Sequence, residues 1–172
     1  VSEDLKFALL LEGYSFLESL KNIWFPSAEF LNEGGLFRPI VTTINLIDYS
    51  LWGTNAFGYH LTNALVHLVN IQLVYHFSLR LFKRVDISFL CSVIFLFHPI
   101  LANSIYWISG RTDMVACSFY LTSLLMTDKY LRGMDVKYFI LFNLTIVIIL
   151  TDLNGIVLIP QILFMLSALH VQ

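Results

Sequence analysis

Long apolar runs separated by short polar connections dominate the chain from residue 59 onward. A bilayer crossing takes about 20 apolar residues, fewer where polar ends lie in the interface. By that measure the runs predict four or five spans, over roughly 59–82, 86–106, 112–131, 136–151 and 155–171, joined as antiparallel neighbours. The second run is interrupted. Ile87–Phe97 is too short to cross alone, and Pro99 is expected to kink or end the helix before Ala102–Ile108 resumes.

Residues 1–58 follow a different pattern. "FLESLKNIW" puts Phe16, Leu17, Leu20, Ile23 and Trp24 on one helical face with charges opposite. "FRPIVTTINLIDYSLW" does the same with Ile40, Val41, Ile44, Ile47 and Leu51, and Pro39 stands at a favoured first helical position. Both read as helices lying on a membrane surface, with "PSAEFLNEGG" a loop between them. The organisation expected is a 1–58 loop region carrying two interfacial helices, then a 59–172 helical bundle. No internal repeat or low-complexity tract is present.

Composition agrees: 58% of the 172 residues are apolar and only 13% are charged, about half the charge of a soluble domain. Ten Lys and Arg against twelve Asp and Glu give no basic excess of the kind that marks nucleic-acid partners. Charge placement sets orientation, because cytoplasmic connections collect Lys and Arg. Arg80, Lys83 and Arg84 follow the first span, and Lys129, Arg132 and Lys137 surround the connection after the third, so six of the ten cations sit in two short loops. Those loops are assigned to the cytoplasm, and residues 1–58, the turn "FHPILANSIYWISGRTD" and "TDLNG" to the opposite side. Cys91 and Cys117 lie inside apolar runs and read as small reduced hydrophobes. The chain begins with Val and reads as a piece of something longer.

Chemistry collects on the non-cytoplasmic face. In "GYHLTNALVHLVN", His60, Asn63, His67 and Asn70 fall within about an 80° arc of one helix. Such a stripe faces a bundle interior or an aqueous cavity, since exposure to lipid costs several kcal/mol. His67 and Asn70 read as interhelical hydrogen-bonding groups, and His60 and Asn63, nearer the end, as site candidates. Arg111 opens a span where positive charge is least expected. It either pairs with Asp113 or caps loop carbonyls, or it binds a phosphate, which guanidinium matches bidentately. His98 precedes Pro99 in the same turn, and Tyr106–Trp107 fits an interfacial aromatic anchor. Glu3 and Asp4 are adjacent carboxylates ahead of an apolar stretch. No HxxxH, CxxC, Gly-rich phosphate loop or GxSxG occurs, so no metal ligand is assigned. The sequon "NLT" at 143–145 lies within an expected span and should carry no glycan.

Together "LFRPIVTTINLIDYSLWGTNAFGYHLTNALVHLVN" and "FHPILANSIYWISGRTDMVACSFYLTSLL" resemble the membrane domain of the tetratricopeptide-repeat O-mannosyltransferases and their bacterial relatives, within the glycosyltransferase C superfamily. The order RP, GYHLxNxxxH, HP, ISGRxD runs over residues 36–126, and residues 2–35 fit more loosely as the first extracytoplasmic loop. The resemblance implies an all-α polytopic membrane protein with a GT-C-like helical bundle, in the bacterial inner membrane or the endoplasmic reticulum. Its site, facing away from the cytoplasm, would take a sugar, mannose for example, from a polyprenyl-phosphate donor to a protein or glycan acceptor. The family's acidic pair aligns with "SED", making Glu3 and Asp4 the catalytic pair, one carboxylate acting as general base on the acceptor hydroxyl. Arg38, His60, Asn63, His98, Arg111 and Asp113 are the expected substrate-binding residues. The partners implied are the lipid-linked sugar, its acceptor and membrane lipid, and a divalent metal is compatible with the donor phosphate.

The chain departs from the family pattern in two places. Where the family reads HPxHTEAV, this chain has "HPILANSI", with Leu101 for a His and Asn103 for a Glu. Where the family shows SKE, this chain has "TDL", with Asp152 and Leu153 in place of Lys and Glu. These departures point to a second class, a catalytically silent scaffold or lipid-binding module on the same bundle. A third, a transporter using the His/Asn stripe, fits less well, because the polar residues gather at one membrane face instead of the midplane.

Overall fold

A computed structural model describes residues 14–25, 38–107 and 110–131, together with 133, 136 and 140. The expected spans 136–151 and 155–171, the loop "PSAEFLNEGG", Glu3, Asp4, Asp152, Leu153 and the "NLT" sequon lie outside the described residues, apart from those isolated positions.

Six helices are present among the described residues: α1 (Phe16–Trp24), α2 (Pro39–Trp52), α3 (Ala56–Phe82), α4 (Val85–Phe97), α5 (Pro99–Tyr106) and α6 (Arg111–Leu131). Local signals in the sequence set their ends. α1 opens with a capping box, in which Ser15 Oγ accepts from the Glu18 N–H at 3.4 Å and Glu18 Oε2 accepts from the Ser15 N–H at 2.9 Å. α2 begins at Pro39, whose missing N–H costs nothing at a helix start. Asn55 caps α3 by accepting from the Phe57 N–H at 3.1 Å, and Lys83 ends it in the left-handed conformation, φ 55°. The interruption expected at Pro99 is present, but the second helix resumes at Pro99 itself and not at Ala102. His98 takes the extended backbone that a following proline imposes, and Pro99 then serves as the first residue of α5.

The long helix α3 is the hub of the assembly. α4 and α6 pack along it, α2 and α5 touch it near its beginning, and α1 rests on α2. At 27 residues it is about 40 Å long, and among the described residues it alone is long and apolar enough to cross a membrane. α4 is a shorter apolar helix, and α6, expected as a span, forms one continuous helix that falls short of that test.

Polar side chains share the interior with an apolar core that includes Val41, Leu46, Met114, Val115, Leu121 and Leu124. Asn63, Asn70, Ser88, Ser123 and Thr127 are buried, while Leu65, Leu68, Phe89, Ile94 and Phe97 are exposed. Small hydroxyl residues line the helix contacts: Ser88, Ser92 and Ser118 each donate to the carbonyl four residues earlier, at 2.7, 2.9 and 3.0 Å. That arrangement satisfies the hydroxyls within their own helix and lets neighbouring backbones approach.

The two amphipathic segments each turn part of their surface to the protein and leave part of their apolar face exposed. In α1 the protein-facing residues are Ser19 and Ile23, whereas Phe16, Leu17 and Trp24 of the expected apolar face stay exposed. In α2, Val41, Leu46 and Asp48 turn inward and Ile47 and Leu51 outward. Trp24 Nε1 donates to Thr43 Oγ1 at 3.2 Å and ties the two segments together.

Candidate functional site: a buried arginine cluster

Arg111 is the first residue of α6, where the helix dipole disfavours a cation. Its position follows from the close turn before it. A side chain at Gly110 would place a Cβ 2.7 Å from the Ser104 Cα, so only glycine lets the chain pass α5 and turn the next residue into the bundle. The Arg111 side chain is wholly buried.

Four groups from two other helices meet its guanidinium. Nε donates to Asn63 Oδ1 at 2.8 Å, Nη1 to Asn45 Oδ1 at 2.8 Å, and Nη2 to the Tyr59 carbonyl at 3.1 Å. Asp48 supplies the countercharge: its Oδ2 lies 2.6 Å from Nη1, and its carboxylate is 4% exposed. Because Nη1 aims its aligned bond at Asn45, Oδ2 has the ion contact but no aligned donor. The other carboxylate oxygen accepts from Thr62 Oγ1 at 2.7 Å. A charge without a partner at this depth would be prohibitive, so Asp48 answers the dipole penalty and the desolvation together.

Arg38 stands beside this cluster, just before α2. Its Nη1 donates to Thr112 Oγ1 at 3.4 Å, and its Nε is buried with no partner. The residue as a whole is half-buried. A guanidinium with an unpartnered donor is suited to an anion.

The structure thus brings Asn63, Arg111 and Arg38 into one neighbourhood and sets others apart. His60 is half-buried in the first turns of α3, while His98 and Asp113 are exposed. Arg111 does not pair with Asp113; its partner is Asp48, and Asp113 instead places a carboxylate in the first turn of α6, where the dipole favours one. Further down α3, Asn70 does the interhelical bonding expected of it, donating to the Met114 carbonyl at 2.9 Å and accepting from Ser118 Oγ at 2.6 Å. His67 is buried and stacks on Phe95 with ring centroids 5.5 Å apart. Tyr106 and Trp107 are both largely exposed. No group of three or more His, Cys, Asp or Glu side chains that could hold a metal forms among the described residues.

A protein O-mannosyl-transferase of Caenorhabditis elegans is 27% identical over 128 residues, 73% of this chain. Protein O-mannosyl-transferase TMTC1 of Homo sapiens is 31% identical over 100 residues, and TMTC2 of Mus musculus 33% over 94, covering 58% and 55% of this chain. The chain is homologous to the protein O-mannosyl-transferases. The resemblance read from residues 36–126 is borne out. The alignments span 18%, 11% and 11% of the lengths of these three relatives. No family model and no solved structure matches the chain.

Within this O-mannosyl-transferase-like segment, sequence reasoning missed Asp48, Asn45 and Tyr59. The signal for Asp48 was a single carboxylate within an otherwise uncharged helix, three residues after Asn45 and so on the same face. Its match, a single arginine at the start of another helix on the same assigned membrane side, lies 63 positions on (111 − 48).

Proposed function

We propose that this chain is the membrane-embedded part of a glycosyltransferase, moving a sugar, mannose in the first instance, from a polyprenyl-phosphate donor to a protein or glycan acceptor. The homology to protein O-mannosyl-transferases over more than half of the chain carries the reading. The many exposed apolar side chains and the buried polar ones support a bilayer setting, with the Arg111 end of the bundle facing away from the cytoplasm in the bacterial inner membrane or the endoplasmic reticulum.

Geometry divides the labour among the expected site residues. Arg111 is saturated by Asn45, Asp48, Asn63 and Tyr59, so its work is to fix α2, α3 and α6 against one another. Arg38, with a free Nε, is the group that receives the donor phosphate and stabilises its charge as the glycosidic bond breaks. His60, His98 and Asp113 are assigned to the sugar and acceptor on the strength of the sequence resemblance alone. Asp4, with Glu3 beside it, is the base that takes the proton of the acceptor hydroxyl as that oxygen attacks the anomeric carbon. A divalent metal beside the phosphate is compatible with this scheme but is assigned no ligand.

The test is transfer by the full-length protein from polyprenyl-phosphate mannose, with Asp4→Asn and Arg38→Ala as variants. The reading expects Asp4→Asn to abolish turnover while donor binding persists, and Arg38→Ala to raise the donor KM. A second reading, a silent scaffold, draws on Leu101, Asn103, Asp152 and Leu153, where the chain departs from the family pattern. It expects neither variant to change anything, and no donor to be consumed.

A further inference from the structure

At the far end of α3 an open cavity of about 460 Å³ is lined, among the described residues, by His76, Leu79, Arg80 and Lys83. The rise along the helix from Asn63 to Arg80 is about 26 Å, which separates this cavity from the arginine cluster by most of a hydrocarbon thickness. We infer that this cavity is an anion site for the phosphate of a phospholipid headgroup, on the membrane face opposite the sugar-transfer site.

Positions 76, 79, 80 and 83 recur at three- and four-residue intervals, so one helical face carries all the lining groups toward a single space. Arg80 is held in place there: its Nη1 bonds Asp128 Oδ2 on α6 at 2.6 Å, while the side chain keeps 36% exposure. Asp128 offsets part of the Arg80 charge, and the neighbouring Arg84 is tied to Asp86. Lys83 makes no ion pair with any described residue and leaves the described lining of the cavity net positive.

The surroundings favour a lipid over a soluble phosphate. Leu81, Phe82 and Val85 flank the basic residues and are 62%, 48% and 64% exposed. A helix end that carries a basic recess on one face and exposed apolar side chains on its others meets both parts of an anionic phospholipid, headgroup and first acyl carbons, whereas free phosphate uses the recess alone.

The inference rests on the bilayer setting proposed above but not on the transfer chemistry, and the test separates the two. Full-length protein in detergent is titrated with dioleoyl phosphatidylglycerol and, in parallel, dioleoyl phosphatidylcholine, and bound lipid is counted by native mass spectrometry. The variant is Lys83→Asn, because asparagine tolerates the left-handed backbone that Lys83 adopts and so removes charge without removing the helix end. Lys83→Arg is the charge-conserving control. The expected result is preference for phosphatidylglycerol, about fivefold weaker in Lys83→Asn and retained in Lys83→Arg, the weight of one basic side chain at an anionic membrane surface. Equal binding of both lipids, or an unchanged Lys83→Asn, overturns the inference while leaving the bilayer setting intact. Displacement of phosphatidylglycerol by millimolar inorganic phosphate overturns the lipid assignment. Binding of neither lipid removes the bilayer setting and the inference with it.

Discussion

Removing both members of the Arg111–Asp48 pair should cost the bundle less than the two single removals added together. Asp48→Leu leaves a guanidinium at zero exposure with three neutral acceptors and no countercharge. Stranding one ion of a buried pair costs about 3–5 kcal/mol. Arg111→Met strands the Asp48 carboxylate with only Thr62 and also takes the donor from Asn63, Asn45 and the Tyr59 carbonyl. Each lost partner adds about 1–3 kcal/mol where water cannot replace it. The attraction itself is about 4 kcal/mol between unit charges 4 Å apart at an effective dielectric near 20, and burial largely cancels it. The double variant therefore should cost about 2–3 kcal/mol less than the sum of the singles, because it leaves no stranded charge. Unfolding of the full-length protein in mixed detergent and dodecyl sulfate micelles measures all three, and a double-mutant cycle gives the coupling. Additivity within about 0.5 kcal/mol, or an Arg111→Met variant as stable as the wild type, would refute the buried pair.

Other consequences are open to test. Gly110→Ala should destabilise by about 1–3 kcal/mol, because the obstacle to its Cβ is the Ser104 backbone at 2.7 Å, which cannot swing away; thermal unfolding checks it. Asn70→Leu removes two interhelical bonds and should cost about 0.6–2 kcal/mol by the same micelle assay, since such bonds are worth little more in a membrane. The Ser15 backbone N–H, and then its hydroxyl, hold the Glu18 carboxyl below its usual range. A depressed folded-state value means the capping box contributes above the unfolded carboxylate range and fades as pH falls through the folded one. Hydrogen exchange of residues 16–24, corrected for intrinsic rates, should therefore lose protection in acid, and Glu18→Gln should flatten that dependence. An acid-insensitive wild type would contradict the cap.

How much of this was readable in the chain depends on the range of the interaction concerned. Local chemistry was legible: the limits of α1, the Pro39 start and the break at His98–Pro99 come from caps and prolines acting within a few residues. The polar stripe of α3 was legible as an inward face, because Asn63, His67 and Asn70 fall on one side of a long apolar helix, and all three are buried there. The partner of Arg111 was not. Asp113 is two positions away and Asp48 sixty-three, and periodicity gives no distance between segments. Nor could the pattern choose the buried side of α2, since apolar residues cover most of its circumference. A hydrophobic face does not by itself say what covers it, and the polar residues Asn45 and Asp48 decided the matter by needing Arg111.

The most direct test of the sugar-transfer account is binding and consumption of a polyprenyl-phosphate sugar panel by the full-length protein, wild type against Arg38→Ala. The account predicts selective binding of one donor, mannose first, weakened about tenfold or more by loss of the guanidinium that meets its phosphate, within the range of a charged hydrogen bond. Equal indifference of both proteins to every donor would contradict it, and would leave a bundle that kept the O-mannosyl-transferase architecture without the reaction.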